Sequence, residues 1–244
     1  MSDVTGWFAA RGLGSLLYMG AALGTRPSLY STAVGKKYVM AISGFILMGF
    51  VLLHMVGNLK FYFGESALDT YSHWLREIGE PALPRATMLW AARILLLVAV
   101  AAHIHAAYAL TMINRRARPD AYRSKRDYVV ASFASRTMRW TGIIVALFIV
   151  FHLLDLTWGP ANPDFVEGDP YHNLIASFER TPVALIYIVA NLALGLHLFH
   201  GVWSMFQSLG LRIPRQRTIA TVFAVVIVVG NVSFPLSVML GVVN

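Results

Sequence analysis

Five apolar runs divide the chain: Tyr38–Val56, Met88–Ile113, Trp140–Leu156, Pro182–Phe206 and Ile219–Val243. Each approaches or exceeds the ~20 residues that cross a hydrocarbon core at 1.5 Å per residue. Only Arg93 and Asp155 interrupt them with charge, both near segment ends. In lipid every backbone N–H and C=O must be paired inside its own segment, so the runs predict five transmembrane helices. Between the first two, Leu68, Tyr71, Trp74 and Leu75 recur at amphipathic spacing. That predicts a helix lying on the membrane surface, with Trp74 at headgroup level. Ahead of the first run, Phe8, Leu13, Leu16, Leu17 and Met19 suggest a short interfacial helix, ended by Arg26-Pro27 and Gly35. The pattern reads as an all-α membrane protein: an arm over residues 1–36 and a five-helix bundle over 37–244.

Composition sharpens this reading. The chain is 57% hydrophobic and 13% charged, where a soluble domain would be about a quarter charged. It has no cysteine, which excludes disulfides, thiolate zinc sites and iron–sulfur clusters held by this chain. Redox chemistry would have to rest on nitrogen or oxygen ligands. No short apolar stretch with a cleavage site precedes the first run, so the arm is expected to be mature sequence rather than a signal.

The net charge of +8 is unevenly spread. Most Lys and Arg lie in residues 1–37, 113–139 and 208–217, whereas most acids lie between those stretches: Glu65, Asp69, Glu77, Glu80, Asp164, Glu167, Asp169 and Glu179. Positive loops stay cytoplasmic, so the amino terminus is expected inside and the carboxyl terminus outside. The basic face suits topology, acidic protein partners or anionic lipid headgroups rather than nucleic acid.

Four runs carry histidine: His54, the pair His103 and His105, His152, and the pair His197 and His200. Ionisable residues in lipid usually face a bundle interior and do chemistry there. A single one is often just an interhelical hydrogen bond; four matched in depth are harder to explain that way. From Lys37 to His54 is ~26 Å of helix, and from Ser132 to His152 ~30 Å. Counted back from the inner ends, His103 and His197 each lie ~14 Å deep. His54 should therefore meet His152 near the outside, and His103 should meet His197 nearer the cytoplasm. His103 and His105 are ~200° apart around their helix, so one alone can face a shared centre. His73 and His172 fall in loops and read as surface residues.

Two imidazoles per level suit six-coordinate haem. Zinc takes four protein ligands or three plus water, and copper favours a third ligand. Gly201 would let a macrocycle approach, and Arg93, His200 and Ser204 are candidate partners for its propionates. Asp155, three residues past His152 and near water, is the candidate proton donor to a quinone. The fifth run has no titratable residue; Asn231, Ser233 and a kinking Pro235 are its main features.

The stretches VGKKYVMAISG, HMVGNLKFYFG, HIHAAYALTMINRRARPDAY, FIVFHLLDLTW and HLFHGVWSMFQSLG resemble a family over roughly residues 30–215. It is the single-polypeptide, five-helix, dihaem cytochrome b anchor of succinate:quinone oxidoreductases, the succinate dehydrogenases and fumarate reductases. The resemblance implies two haem b groups, the distal one on His54 and His152 and the proximal one on His197 and a histidine of the second run. The run around that histidine favours His103, with His105 as the alternative. Also implied are an FAD flavoprotein and an iron–sulfur subunit as partners, menaquinone or another quinone as substrate, a bacterial inner (plasma) membrane location and a possible higher oligomer. Some members of the family it resembles carry a glutamate, proposed for proton compensation, two residues before the position of His197; here that position is Gly195. Two other readings compete: the cytochrome b of a hydrogenase or formate dehydrogenase, and a haem-free scaffold or transporter. The concentration of arginine on the cytoplasmic side argues against the first.

Overall fold

The computed structural model describes residues 28–117 and 133–243. The expected arm helix around Phe8–Met19, the Arg26-Pro27 break, the start of the third run near Ser132 and the loop beyond Ala117 lie outside those residues. Among the described residues there are seven α-helices and no strand. They are α1 (Ala33–Asn58), α2 (Glu65–Glu77), α3 (Thr87–Arg116), α4 (Phe133–Leu156), α5 (Pro170–Glu179), α6 (Thr181–Ser208) and α7 (Gln216–Met239). Helices α1, α3, α4, α6 and α7 are long and apolar enough to cross a membrane. Their outward faces carry exposed Leu53, Leu97, Leu147, Val189 and Val229, as a lipid-facing surface requires.

Local signals set the helix ends. Thr32 Oγ1 accepts from the Gly35 N–H at 2.9 Å and caps α1. At the other end α1 runs into a 3-10 turn, Leu59–Phe63, that closes at Gly64 with φ +91°. Asp169 caps α5 by accepting from His172 N–H at 2.9 Å, with Pro170 in the first helical position.

The spans pack in pairs, α1 on α3, α4 on α6, and α7 against α6. The short helices α2 and α5 lie together over one end of the bundle, here termed the capped end. The other end carries Arg115, Arg116, Arg212, Arg215 and Arg217, and is termed the arginine end. The cap closes on Phe61, Leu68, Phe178, Tyr187 and Phe234. Burying a side chain such as Phe61 or Leu68 is worth roughly 1.5–3 kcal/mol, which holds α2 down on the spans. Tyr71 of α2 stacks on Trp74 at 5.9 Å, and Trp74 stays exposed. A second core, Met55, Leu198, Ala224 and Ile227, joins α1, α6 and α7. Pro235 lies inside α7 and is fully buried.

Candidate metal centres

Chain direction brings the histidines to two levels. His54 and His152 each stand four residues before the last residue of their helices, α1 and α4. His103 and His197 each stand sixteen residues into α3 and α6, which run the opposite way. At the capped end the rings of His54 and His152 lie 5.9 Å apart, centroid to centroid, at 88°. Toward the arginine end those of His103 and His197 lie 6.3 Å apart at 64°. Two imidazoles bound to opposite sides of one metal ion through bonds of about 2 Å, with ring centres about 1 Å behind the nitrogens, would stand about 6 Å apart.

The ring nitrogens are held with a pattern. His103 Nδ1 is 3.2 Å from both the Met40 carbonyl and Ser43 Oγ. His197 Nδ1 is 3.5 Å from Thr141 Oγ1, and His152 Nδ1 is 3.3 Å from the Tyr187 hydroxyl. Holding Nδ1 in this way leaves Nε2 for a metal and fixes ring orientation. His54 is the exception: its Nε2 is 3.3 Å from the Asn58 amide, a hydrogen bond that metal binding there would replace.

Two glycines press on the inner pair. A Cβ on Gly44 would lie 3.3 Å from His103 Cε1, and one on Gly142 would lie 3.4 Å from His197 Cε1. With Ser43 and Thr141 they belong to an internal repeat, [Ser/Thr]-Gly-x5-Phe-x3-His, spanning Ser43–His54 on α1 and Thr141–His152 on α4. The phenylalanines are equivalent as well: Phe50 stacks on His54 at 5.2 Å and Phe148 lies 5.8 Å from His152. Each of these helices therefore offers a ring at one level and buttresses its neighbour's ring at the other, about 16 Å of helix away. The repeat is legible when the two runs are compared residue by residue.

His105 leaves the bundle interior. It is exposed, stacks on Tyr30 at 5.8 Å and hydrogen-bonds the Tyr30 hydroxyl. Gly201 does not press on a ring; a Cβ there would only touch Met138, at 3.9 Å. Among the propionate candidates, Arg93 is exposed and lies over the Trp90 ring at 4.9 Å. Ser204 Oγ donates to the Gly201 carbonyl at 3.3 Å. His200 Nδ1 is buried and has no hydrogen-bond partner among the described residues. Gly195 faces α7, where a Cβ would collide with Val228.

The sequence expectation for Asp155 needs correction. It was placed close to water, yet it is 0% exposed because α5 folds over it. Arg180 Nη2 donates to Oδ1 at 2.6 Å, while Ser177 and, at 2.8 Å, Tyr187 donate to Oδ2. The carboxylate is thus an acceptor of three hydrogen bonds inside the cap. Arg180, Ser177 and Tyr187 were not singled out from sequence, since only the fold of α5 brings two of them to Asp155.

The donor set, the ring separations, the two glycine cradles and the unpaired His200 nitrogen all fit a pair of bis-histidine haems. Fold and site together define a multi-pass helical membrane protein with two cross-helix histidine pairs stacked along its axis. Residues 112–232 match the family model described as succinate dehydrogenase/fumarate reductase transmembrane subunit. The match covers just under half of the chain, takes in one histidine of each pair, His152 and His197, and supports a membrane subunit of such a complex. No curated protein and no solved structure matches the chain.

Proposed function

We propose that this chain is the dihaem cytochrome b anchor of a succinate:quinone oxidoreductase, carrying electrons between a cytoplasmic iron–sulfur partner and membrane quinone. The observation that carries the reading is the meeting of four imidazoles in two pairs, each at the spacing of rings on one ion. The match to the transmembrane-subunit family supports the same class of complex. His54 and His152 would hold the outer haem, His103 and His197 the inner one. Haem held by two imidazoles would supply one-electron transfer there.

The chain's own residues do the rest. Ser43, Met40 and Thr141 hold the inner rings by Nδ1, and Gly44 and Gly142 leave those rings room. The exposed apolar faces of the spans keep the pairs in lipid, in a bacterial plasma membrane, with the amino terminus inside. The arginine end is the docking face for the flavoprotein and iron–sulfur subunits. Menaquinone is the quinone we favour. If it is reduced at the capped end, each electron crosses the membrane, worth ~2.3 kcal/mol per 100 mV.

The test is to purify the chain under mild detergent with its neighbours and add succinate under anaerobic conditions. Co-purification of a flavoprotein and an iron–sulfur protein, with succinate-driven growth of b-type haem absorption that a quinone reverses, is the expected result. A chain that purifies without haem or without those partners overturns the proposal.

A further inference from the structure

Tyr187 joins two systems that the histidine pairs alone do not connect. Its hydroxyl donates to Asp155 Oδ2 at 2.8 Å and stands 3.3 Å from His152 Nδ1. With its proton committed to the carboxylate, the Tyr187 oxygen is left to accept from the His152 Nδ1–H. The tyrosine ring is 4% exposed and is gripped by Phe148 at 4.9 Å and Phe178 at 5.0 Å. Asp155 is fixed in turn by Arg180, whose Nη1 also donates to the Ala161 carbonyl at 2.7 Å. The chain Asp155–Tyr187–His152 is therefore rigid from the cap to the ring. Among the described residues the inner rings have nothing comparable, since their partners are the neutral Met40 and Met138 carbonyls and the Ser43 and Thr141 hydroxyls.

We propose that Tyr187 and Asp155 are positioning residues for the outer centre: through the tyrosine hydroxyl, the buried carboxylate fixes the His152 tautomer and makes its Nε2 a stronger donor. This rests on the dihaem reading above. An Nδ1–H drawn toward a carboxylate-backed acceptor raises the basicity of the ligating nitrogen, and a more basic ligand favours the oxidised iron. Tyr187 thus holds the outer haem at a lower midpoint potential than the same imidazole would give alone.

The experiment is an anaerobic potentiometric titration of the purified complex, followed by haem absorption and by electron paramagnetic resonance. Wild type, Tyr187→Phe and Asp155→Asn are compared. Tyr187→Phe removes one hydroxyl and keeps the packed ring, so both haems should remain. The outer haem's potential should rise and its low-spin g values should move, while the inner haem keeps its own; Asp155→Asn should shift the outer haem in the same direction. Loss of the outer haem from Tyr187→Phe would make Tyr187 a structural support of the site rather than a group that tunes its potential, and overturns the proposal. Two haems with unchanged potentials and g values in Tyr187→Phe overturn the proposal and leave the dihaem reading standing. Wild-type complex without haem removes the reading beneath it.

Discussion

The backbone of Gly44 on α1 backs onto the imidazole of His103 on α3, so closely that a Cβ would sit 3.3 Å from the ring carbon and 3.5 Å from Nδ1. A larger residue there must push the ring out of line. Gly44→Val should give about one haem per chain in place of two, read by pyridine haemochrome, with the outer haem retained. Gly142→Val should do the same through His197. Gly49, with nothing within 4 Å of its would-be Cβ, is the control: Gly49→Val should keep both haems.

The ion pair under the cap has a stability consequence. Asp155 is 0% exposed and the Arg180 side chain 26%. Removing one member of a buried pair leaves the other uncompensated, at a cost of about 3–5 kcal/mol. Because Arg180 keeps some contact with solvent, Arg180→Met should fall near the lower end of that range. Thermal unfolding in detergent, followed by circular dichroism, checks it; an unchanged midpoint would mean that the pair does not hold the cap.

Gly195 on α6 faces α7, which fills the space that a side chain would need. Gly195→Ala should destabilise the chain by about 1–3 kcal/mol through overpacking, because the new methyl runs into Val228. Val228→Ala should restore most of the loss. The pair of variants tests whether α6 and α7 meet at this point. No recovery in the double variant would place the strain elsewhere.

One titration lies outside the spans. Asp69 of α2 is held above the ordinary carboxylate range, chiefly by desolvation, with Asp169 adding repulsion, against the Tyr171 N–H and His73 which favour its charge. A carboxyl that binds its proton more tightly when folded stabilises the fold below its unfolded pKa. That contribution is lost as pH rises through the folded value. Asp69→Asn should therefore flatten the fall in stability with rising pH just above the usual carboxylate range. Denaturant unfolding at a series of acid pH values reads the slope.

Depth was legible because a helix turns residue count into distance. His54 and His152, near the ends of outward helices, had to meet, and so did His103 and His197. Helix angle left room for only one of His103 and His105 at a shared centre, the resemblance of the run around them favoured His103, and the structure places His105 on Tyr30. Asp155 was misjudged because nothing local to it signals burial. Its partners Ser177 and Arg180 arrive on α5 and the turn after it, twenty-two and twenty-five residues on. Gly201 stands one turn from His197 in sequence, but it is Gly44 and Gly142 that touch the rings, from neighbouring helices.

Haem content across single alanine variants tests the pairing most directly. The account expects two spectrally distinct b haems in wild type. His54→Ala and His152→Ala should lose the same one, His103→Ala and His197→Ala the other, and His105→Ala neither. Loss of one component by variants that straddle the two levels, such as His54→Ala with His197→Ala, would contradict it, as would a wild-type chain with no haem at all.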